Sequence, residues 1–495
     1  MLKNAIDRRK IMYILFSIFI LYFCQLFINH TFEFIFNRKL LLTVIAIVIY
    51  FCVSTFTKKN LARNAFLLIS IFGIVVALNK PVQYGLDEES HLANAIGLSD
   101  SFLFKYSDEK LSDYEAVELH DGIRNQENYK DDNYWKNVKH SKSEVSGKPV
   151  SFDNPVFLPG MIGWNLGKVF SDKIIISYYL GRIFHVLAYA FLVYFAIKSS
   201  RSFKQMIFLL GTFPSTLFVI SGYHYDYLYY AASLFLVAIL TNILSREVKI
   251  DRKQIIFYQL ATLAFAFSKF PFCILGCLLS IFPTSYYRNK NDRHYNTVLF
   301  IINFIIALTF AGFIPILGTD PTTVGGSRPS ILYFMTHPLP IIRTMISAPA
   351  TILENFIGNP INYTSIEFGS LSSILISVFL IFLFIITIQT KFQIHKYFRM
   401  ILIILFLGIT FLLIYAITGD PRVYSIGNLS VGGVQGRYYF LMILFVPILF
   451  GDFFRTKFNI LERSLEAEEK FTNILQFTVS FLIILTISIA LYTQI

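Results

Sequence analysis

Residues 11–28 read "IMYILFSIFILYFCQLFI", eighteen residues without a charge. At about 1.5 Å of rise per residue such a helix is about 27 Å long, close to the hydrocarbon thickness of a bilayer. The run is too long for the apolar region of a secretion signal and has no small-residue cleavage site, so it reads as a membrane span. Similar runs recur along the whole 495-residue chain, which is 55% hydrophobic, 17% aromatic and only 15% charged. Soluble domains carry about a quarter charged residues. The chain therefore reads as an all-α polytopic membrane protein.

Thirteen spans fit, at about 11–29, 40–57, 63–79, 174–197, 204–222, 226–244, 254–268, 270–285, 296–317, 370–389, 398–417, 437–453 and 472–493. The stretch 254–285 tests this count, because both halves are short and Lys269 and Pro271 interrupt them. Its two flanks are basic, so it reads as a helical hairpin with "SKFP" at the tip. If the N-terminus is cytoplasmic, the inner connections hold 24 of the 43 Lys+Arg. That is the positive-inside bias. The net charge of +12 is then a topology signal, and no nucleic-acid partner is implied. Cys24, Cys52, Cys273 and Cys277 all fall in apolar runs, which argues against a disulfide framework or a zinc site.

The same topology places the long loops 80–173, 318–369 and 418–436 outside. The first holds 16 of the 31 Asp+Glu. Its end, "FDNPVFLPGMIGWNLGKVF" (152–170), suits an interfacial or re-entrant element with Trp164 at headgroup level. Its middle, "DGIRNQENYKDDNYWKNVKHSKSEVSGK", is turn-rich and polar. The expected organisation is an N-terminal hairpin (1–62), a core (63–455) and a linker with the last span (456–495).

Polar residues near the spans gather on the outer side, where ionisable groups are costly and serve a site, a pathway or a partner. "YGLDEESHLANA" (84–95) concentrates Asp87, Glu88, Glu89 and His91 at a span exit. A carboxylate there can act as a general base or hold a divalent cation such as Mg or Mn, with Asp87 and Glu88 as ligands. The same acids also suit a helix N-terminus. Arg437 follows a glycine-rich approach and suits a phosphate, or an interfacial position beside Tyr438 and Tyr439. Lys269 can pair with a phosphate or an acid, or snorkel. His224 and Asp226 sit in a turn, and Arg182 and His185 read as an interhelical polar contact. Together Arg182, His224 and Asp226 are candidates to line an outward cavity.

"GLDEESHLANAIGLS", the "YDYLYYA" helix, the "SKFP" tip and "GVQGRYY" resemble, in this order, a family of polytopic bacterial membrane proteins of unassigned function. Its first outer loop reads Pro-Pro-Asp-Glu-x-x-His, and Gly-x-Gln-Gly-Arg-Tyr opens a late span. The resemblance covers about residues 65–455, but Tyr84-Gly85-Leu86 stands here where prolines usually precede the acid. The family is similar in layout to GT-C glycosyltransferases, which use lipid-linked sugars at the outer membrane face. Two spans, rather than the usual one, precede the helix that feeds the acidic loop.

The resemblance implies Asp87 as general base, with Glu88 and His91 orienting acceptor, base or metal. It implies Lys269, Arg437, Gln435 and Tyr438 as binders of the donor phosphate. The expected function is transfer of a sugar from a polyprenyl-phosphate donor to a surface glycan or lipid-linked acceptor, at the outer face of the bacterial cytoplasmic membrane. A flippase would favour midplane charges and inverted repeats, and none is legible. A polymerase or ligase for lipid-linked saccharides shares the outer-face expectation.

Overall fold

The structure is a computed structural model. It describes residues 8–30, 37–82, 85, 87–101, 137, 139–140, 155–246, 248–310, 329, 331–360, 369–392, 394–458 and 464–493. Most of loop 80–173, with its polar middle, lies outside the described residues, as do 311–328 and 361–368.

The first half runs α1 (Arg8–Asn29), α2 (Arg38–Val53), α3 (Leu61–Asn79), α4 (Glu88–Ser101), α5 (Leu158–Phe170), α6 (Ile174–Ser199), α7 (Lys204–Gly211), α8 (Pro214–Ile220) and α9 (Asp226–Leu244). The second half adds α10 (Arg252–Ala264), α11 (Leu278–Ile281), α12 (Asn291–Leu308), α13 (Ile331–Thr336), α14 (Leu339–Ile352), α15 (Gly369–Gln389), α16 (Lys396–Ile417), α17 (Phe440–Lys457) and α18 (Leu465–Thr493). Among the described residues the protein is helical throughout, with β-bridges only at Lys139–Lys173 and Ile250–Tyr287.

Among the described residues eight helices are long and apolar enough to cross a membrane: α1, α3, α6, α9, α15, α16, α17 with its lead-in turn, and α18. Of the other five expected spans, four are short or broken, and the end of the fifth, 296–317, lies outside the described residues. Helix α2 ends at Val53, where Ser54 turns extended. The expected 204–222 span splits at Thr212–Phe213, because Pro214 starts a new helix and has no N–H to give. Thr212 Oγ1 and Thr216 Oγ1 donate to the carbonyls of Phe208 and Leu210 at 2.7 and 2.9 Å, so the break leaves them satisfied. Both pieces are buried inside protein, which is where a membrane protein tolerates irregular backbone.

The 254–285 hairpin is α10, a short turn, the tip at Ser268–Lys269, and a 3-10 stretch Phe270–Cys277 leading into α11. Gln259 holds it together, donating to the Gly276 carbonyl at 2.9 Å and to Asn296 Oδ1 of α12 at 2.8 Å.

Helix α9 is the most enclosed span and α1 the least. Helices α3 and α5 pack on α6, and α1 packs on α2 and α18. Trp164 does not face outward as an interfacial anchor would. It is fully buried on the face of α5 that packs on α6, edge-on to His140 at 5.5 Å. Small residues on that face (Gly160, Gly163, Gly167) let the helices close around the indole. Val169 and Phe170 carry the exposed end of α5 instead.

Candidate functional site

The acidic stretch is fixed from behind by Arg182 of α6. Its Nε and Nη2 donate to the two Glu88 oxygens at 2.8 and 2.7 Å. Nη1 donates to the carbonyls of Ala77 and Lys80, and Nη2 also to that of Pro81, at 2.7–3.0 Å. All five guanidinium hydrogens are thereby used. The pair ties the orphan carbonyls at the end of α3 to the first residue of α4. Glu88 accepts a further bond from the Tyr223 amide at 3.0 Å, and both side chains of the pair are wholly shielded. Burial pushes the Glu88 carboxyl up, but Arg182, Lys80 and the hydrogen bonds outweigh it and hold it at about 2. Lys80, donating to the Phe218 carbonyl at 3.3 Å, is pushed by burial to about 8 despite Glu88.

Glu88 therefore does not share an open site with Asp87. Both its oxygens face Arg182, so the expected Asp87–Glu88 metal pair does not converge. Among the described residues no group of three or more His, Cys, Asp or Glu is placed to hold a metal ion. Arg182, a candidate to line a cavity, is wholly shielded in this pair and makes the interhelical contact. His185, one turn on, is buried against Tyr223 and Tyr227, and neither ring nitrogen has a hydrogen-bond partner among the described residues. The side chain of Glu89 lies outside the described residues.

Asp87 itself points the other way. It takes a left-handed φ of +52°, a conformation that Asp and Asn tolerate better than other side chains. Its carboxylate is about half exposed, with Oδ2 3.8 Å from Arg437 Nη2. Behind that arginine lies Asp226, the first residue of α9. Asp226 Oδ2 is 3.4 Å from Arg437 Nε, and Oδ1 is 3.1 Å from Lys269 Nζ of the hairpin tip. These three side chains are 0–5% exposed, so two cations share one buried carboxylate. The remaining positive charge faces Asp87.

Histidines and tyrosines wall the cluster. Arg437 Nη1 meets His224 Nε2 at 2.6 Å, while His224 Nδ1 accepts the Asp226 amide at 2.9 Å. A neutral imidazole accepts at one nitrogen only, so these donors compete for it. Burial, then Arg437 and its neighbours, hold His224 well below its ordinary value. His91 lies edge-on to His224 at 4.5 Å, and burial followed by Arg437 and Lys269 lowers it to about 3. Lys269 Nζ donates to Tyr225 Oη at 3.2 Å and lies 4.3 Å above the Tyr438 ring. Gln435 Oε1 is buried without a hydrogen-bond partner among the described residues.

The motif "GVQGRYY" has a local reason for each glycine. Gly433 has φ +70°, which favours a residue without Cβ. A Cβ on Gly436 would come within 2.3 Å of the Thr351 carbonyl of α14. The approach to α17 is thus pressed against α14, and Arg437 is delivered into the bundle.

Asp87, His91, His224, Asp226, Lys269, Arg437 and Tyr438 thus meet from four separate stretches. Tyr225 and Lys80 went unnoticed in the sequence. Tyr225 sits between His224 and Asp226, a position that could have marked it, whereas Lys80 is an ordinary span-end lysine until the fold buries it.

No curated protein and no solved structure matches the chain. The family model described as "Predicted membrane protein (DUF2142)" matches residues 67–446, a range that holds the α3 exit, the YHYD turn, the hairpin tip and the GVQGRYY approach. The chain belongs to this family of predicted membrane proteins.

Proposed function

We propose that the protein is a GT-C-like glycosyltransferase that moves a sugar from a polyprenyl-phosphate donor to a cell-envelope glycan or lipid-linked acceptor. The observation that carries this reading is the Arg437–Asp226–Lys269 cluster, with Asp87 at its mouth 3.8 Å from Arg437. A shielded pair of cations with one carboxylate between them suits a phosphodiester anion. A half-exposed carboxylate beside it suits a base.

In this reading Asp87 removes the proton of an acceptor hydroxyl as its oxygen attacks the anomeric carbon. The bond from that carbon to the donor phosphate oxygen breaks, and polyprenyl phosphate leaves with the electron pair. Arg437 and Lys269 neutralise the charge that gathers on the leaving phosphate. One displacement inverts the anomeric configuration. Asp226 holds the cations, and neutral His91 and His224 keep the wall from adding a third positive charge.

The proposed setting is the bacterial cytoplasmic membrane, with the N-terminus inside and the cluster outside. Five crossings by α2, α7–α8, the two arms of the hairpin and α12 would complete thirteen. Surface glycan analysis of wild type, a deletion strain and Asp87→Asn at equal protein level tests the reading. Loss of the same sugar in the last two supports it, and a full complement in Asp87→Asn removes Asp87 as the base.

A further inference from the structure

We infer that a cleft at the opposite end of the bundle binds the headgroup of an anionic, hydroxyl-bearing phospholipid of the phosphatidylglycerol class. This inference is independent of the proposed transferase activity.

The cleft lies between the start of α1, the end of α2 and α18, and has a volume of about 420 Å³, within the range of small-ligand sites. Arg9 and Lys10 bring two cations, and Tyr13, Ser54, Thr55 and Asn473 bring polar atoms. No carboxylate is among the described lining residues. Lys10 Nζ caps the end of α2 through the Cys52 carbonyl at 2.8 Å, which fixes its charge at the rim. Basic pockets between transmembrane helices on the positively biased side are where acidic headgroups bind.

Two observations narrow the ligand. Asn473 Oδ1 is buried and has no hydrogen-bond partner among the described residues. It is an acceptor beside two cations, so it asks for a ligand that brings donors along with its phosphate. A glycerol headgroup does so through its hydroxyls. The second observation separates a lipid from a free phosphate. Ile474 lines the cleft at 49% exposure, and α1 leads away from it with Phe16, Phe19, Phe23 and Phe27 exposed. Acyl chains continuing from a headgroup in the cleft would lie along that apolar face. A soluble phosphate ester would leave it uncovered.

Native mass spectrometry of the full chain in detergent, supplied with equal phosphatidylglycerol and phosphatidylcholine, tests the site. Wild type should retain about fivefold more phosphatidylglycerol, the worth of roughly one basic contact. Arg9→Gln should lower the ratio, and Arg9→Gln/Lys10→Gln should bring it close to one. With phosphatidic acid added as a third lipid, wild type should favour phosphatidylglycerol over it, and Asn473→Leu should lose that preference while keeping the one for anionic lipid. Equal retention of the two lipids by wild type overturns the site, and an unchanged ratio in Arg9→Gln overturns its assignment to this cleft. If glycerol phosphate raises Tm as much as the lipid does at equal concentration, the ligand is a free phosphate ester and the lipid assignment fails.

Discussion

Arg437 Nε stands 3.4 Å from Asp226 Oδ2, and both side chains are shut away from solvent. Lys269 approaches the other oxygen of the same carboxylate. A buried charge is tolerated only when it is compensated, so each cation depends on Asp226. Asp226→Asn leaves two buried cations facing each other, at a cost of about 3–5 kcal/mol. The expected outcome is a large fall in Tm in detergent. Combining it with Lys269→Met removes one of the stranded cations and should recover part of the loss. A double variant no more stable than Asp226→Asn alone would show that Lys269 is compensated elsewhere.

The Arg182–Glu88 pair gives the same logic a second setting. Glu88→Gln strands the Arg182 charge, and Arg182→Met strands the Glu88 charge and frees three carbonyls near the end of α3. Each should cost about 3–5 kcal/mol. Arg182→Lys should fail as well, because an ammonium cannot reach five acceptors at once. A double-mutant cycle read by Tm checks the coupling, which should be strongly non-additive. Additive losses would mean that the pair does not act as a unit.

Asp87 behaves differently because it is half exposed and anchored by one long contact. Asparagine tolerates the left-handed backbone, so Asp87→Asn should fold with a Tm close to wild type. If Asp87 is the base, transfer should fall about 10²–10⁴-fold. The Asp87 carboxylate also sits where an incoming phosphate would approach Arg437. Polyprenyl phosphate should therefore bind Asp87→Asn about as tightly as wild type, or several-fold more tightly. Weaker binding would mean that Asp87 holds the lipid phosphate through a bridging group.

How much of this was readable from the chain depends on distance along it. The membrane class and the long helices follow from apolar runs, because burial in lipid acts on each segment alone. Asp87, Lys269 and Arg437 stood out as ionisable groups where lipid makes charge expensive. Their meeting at Asp226 is not legible there, since nothing local encodes which charge pairs with which. Glu88 shows the limit. It is adjacent to Asp87 and chemically equivalent in sequence, yet one helical step turns it toward Arg182. The burial of Trp164 is hidden for a related reason, because a tryptophan near an interface is also a good filler between closely packed helices.

Gly436→Ala tests whether packing at α14 sets the position of Arg437. The added methyl meets backbone at 2.3 Å, so α14 or the lead-in to α17 must shift. Overpacking of this kind costs about 1–3 kcal/mol. Transfer should fall more than Tm suggests, because Arg437 moves with the residue beside it. Unchanged activity would show that the turn can yield without disturbing the cation.

The last prediction concerns acid. His91 is lowered to about 3 in the folded protein, against about 6.5 for an unperturbed histidine. Between these values the unfolded chain holds a proton that the folded chain refuses, so stability rises with pH across that window. Each such histidine contributes a slope of up to about 1.4 kcal/mol per pH unit, and His224, lowered in the same direction, adds to it. Glu88 works in the same sense but at lower pH. Its stabilising contribution is present above the ordinary carboxylate range and is lost as pH falls towards about 2. Tm in detergent should therefore fall steadily from pH 6.5 to pH 4, before Glu88 is protonated. His91→Gln keeps a polar side chain without the titration, so its Tm should depend less on pH over this range. A variant with the wild-type slope would place the proton uptake on His224 or elsewhere, and His91→Gln/His224→Gln would then separate those two.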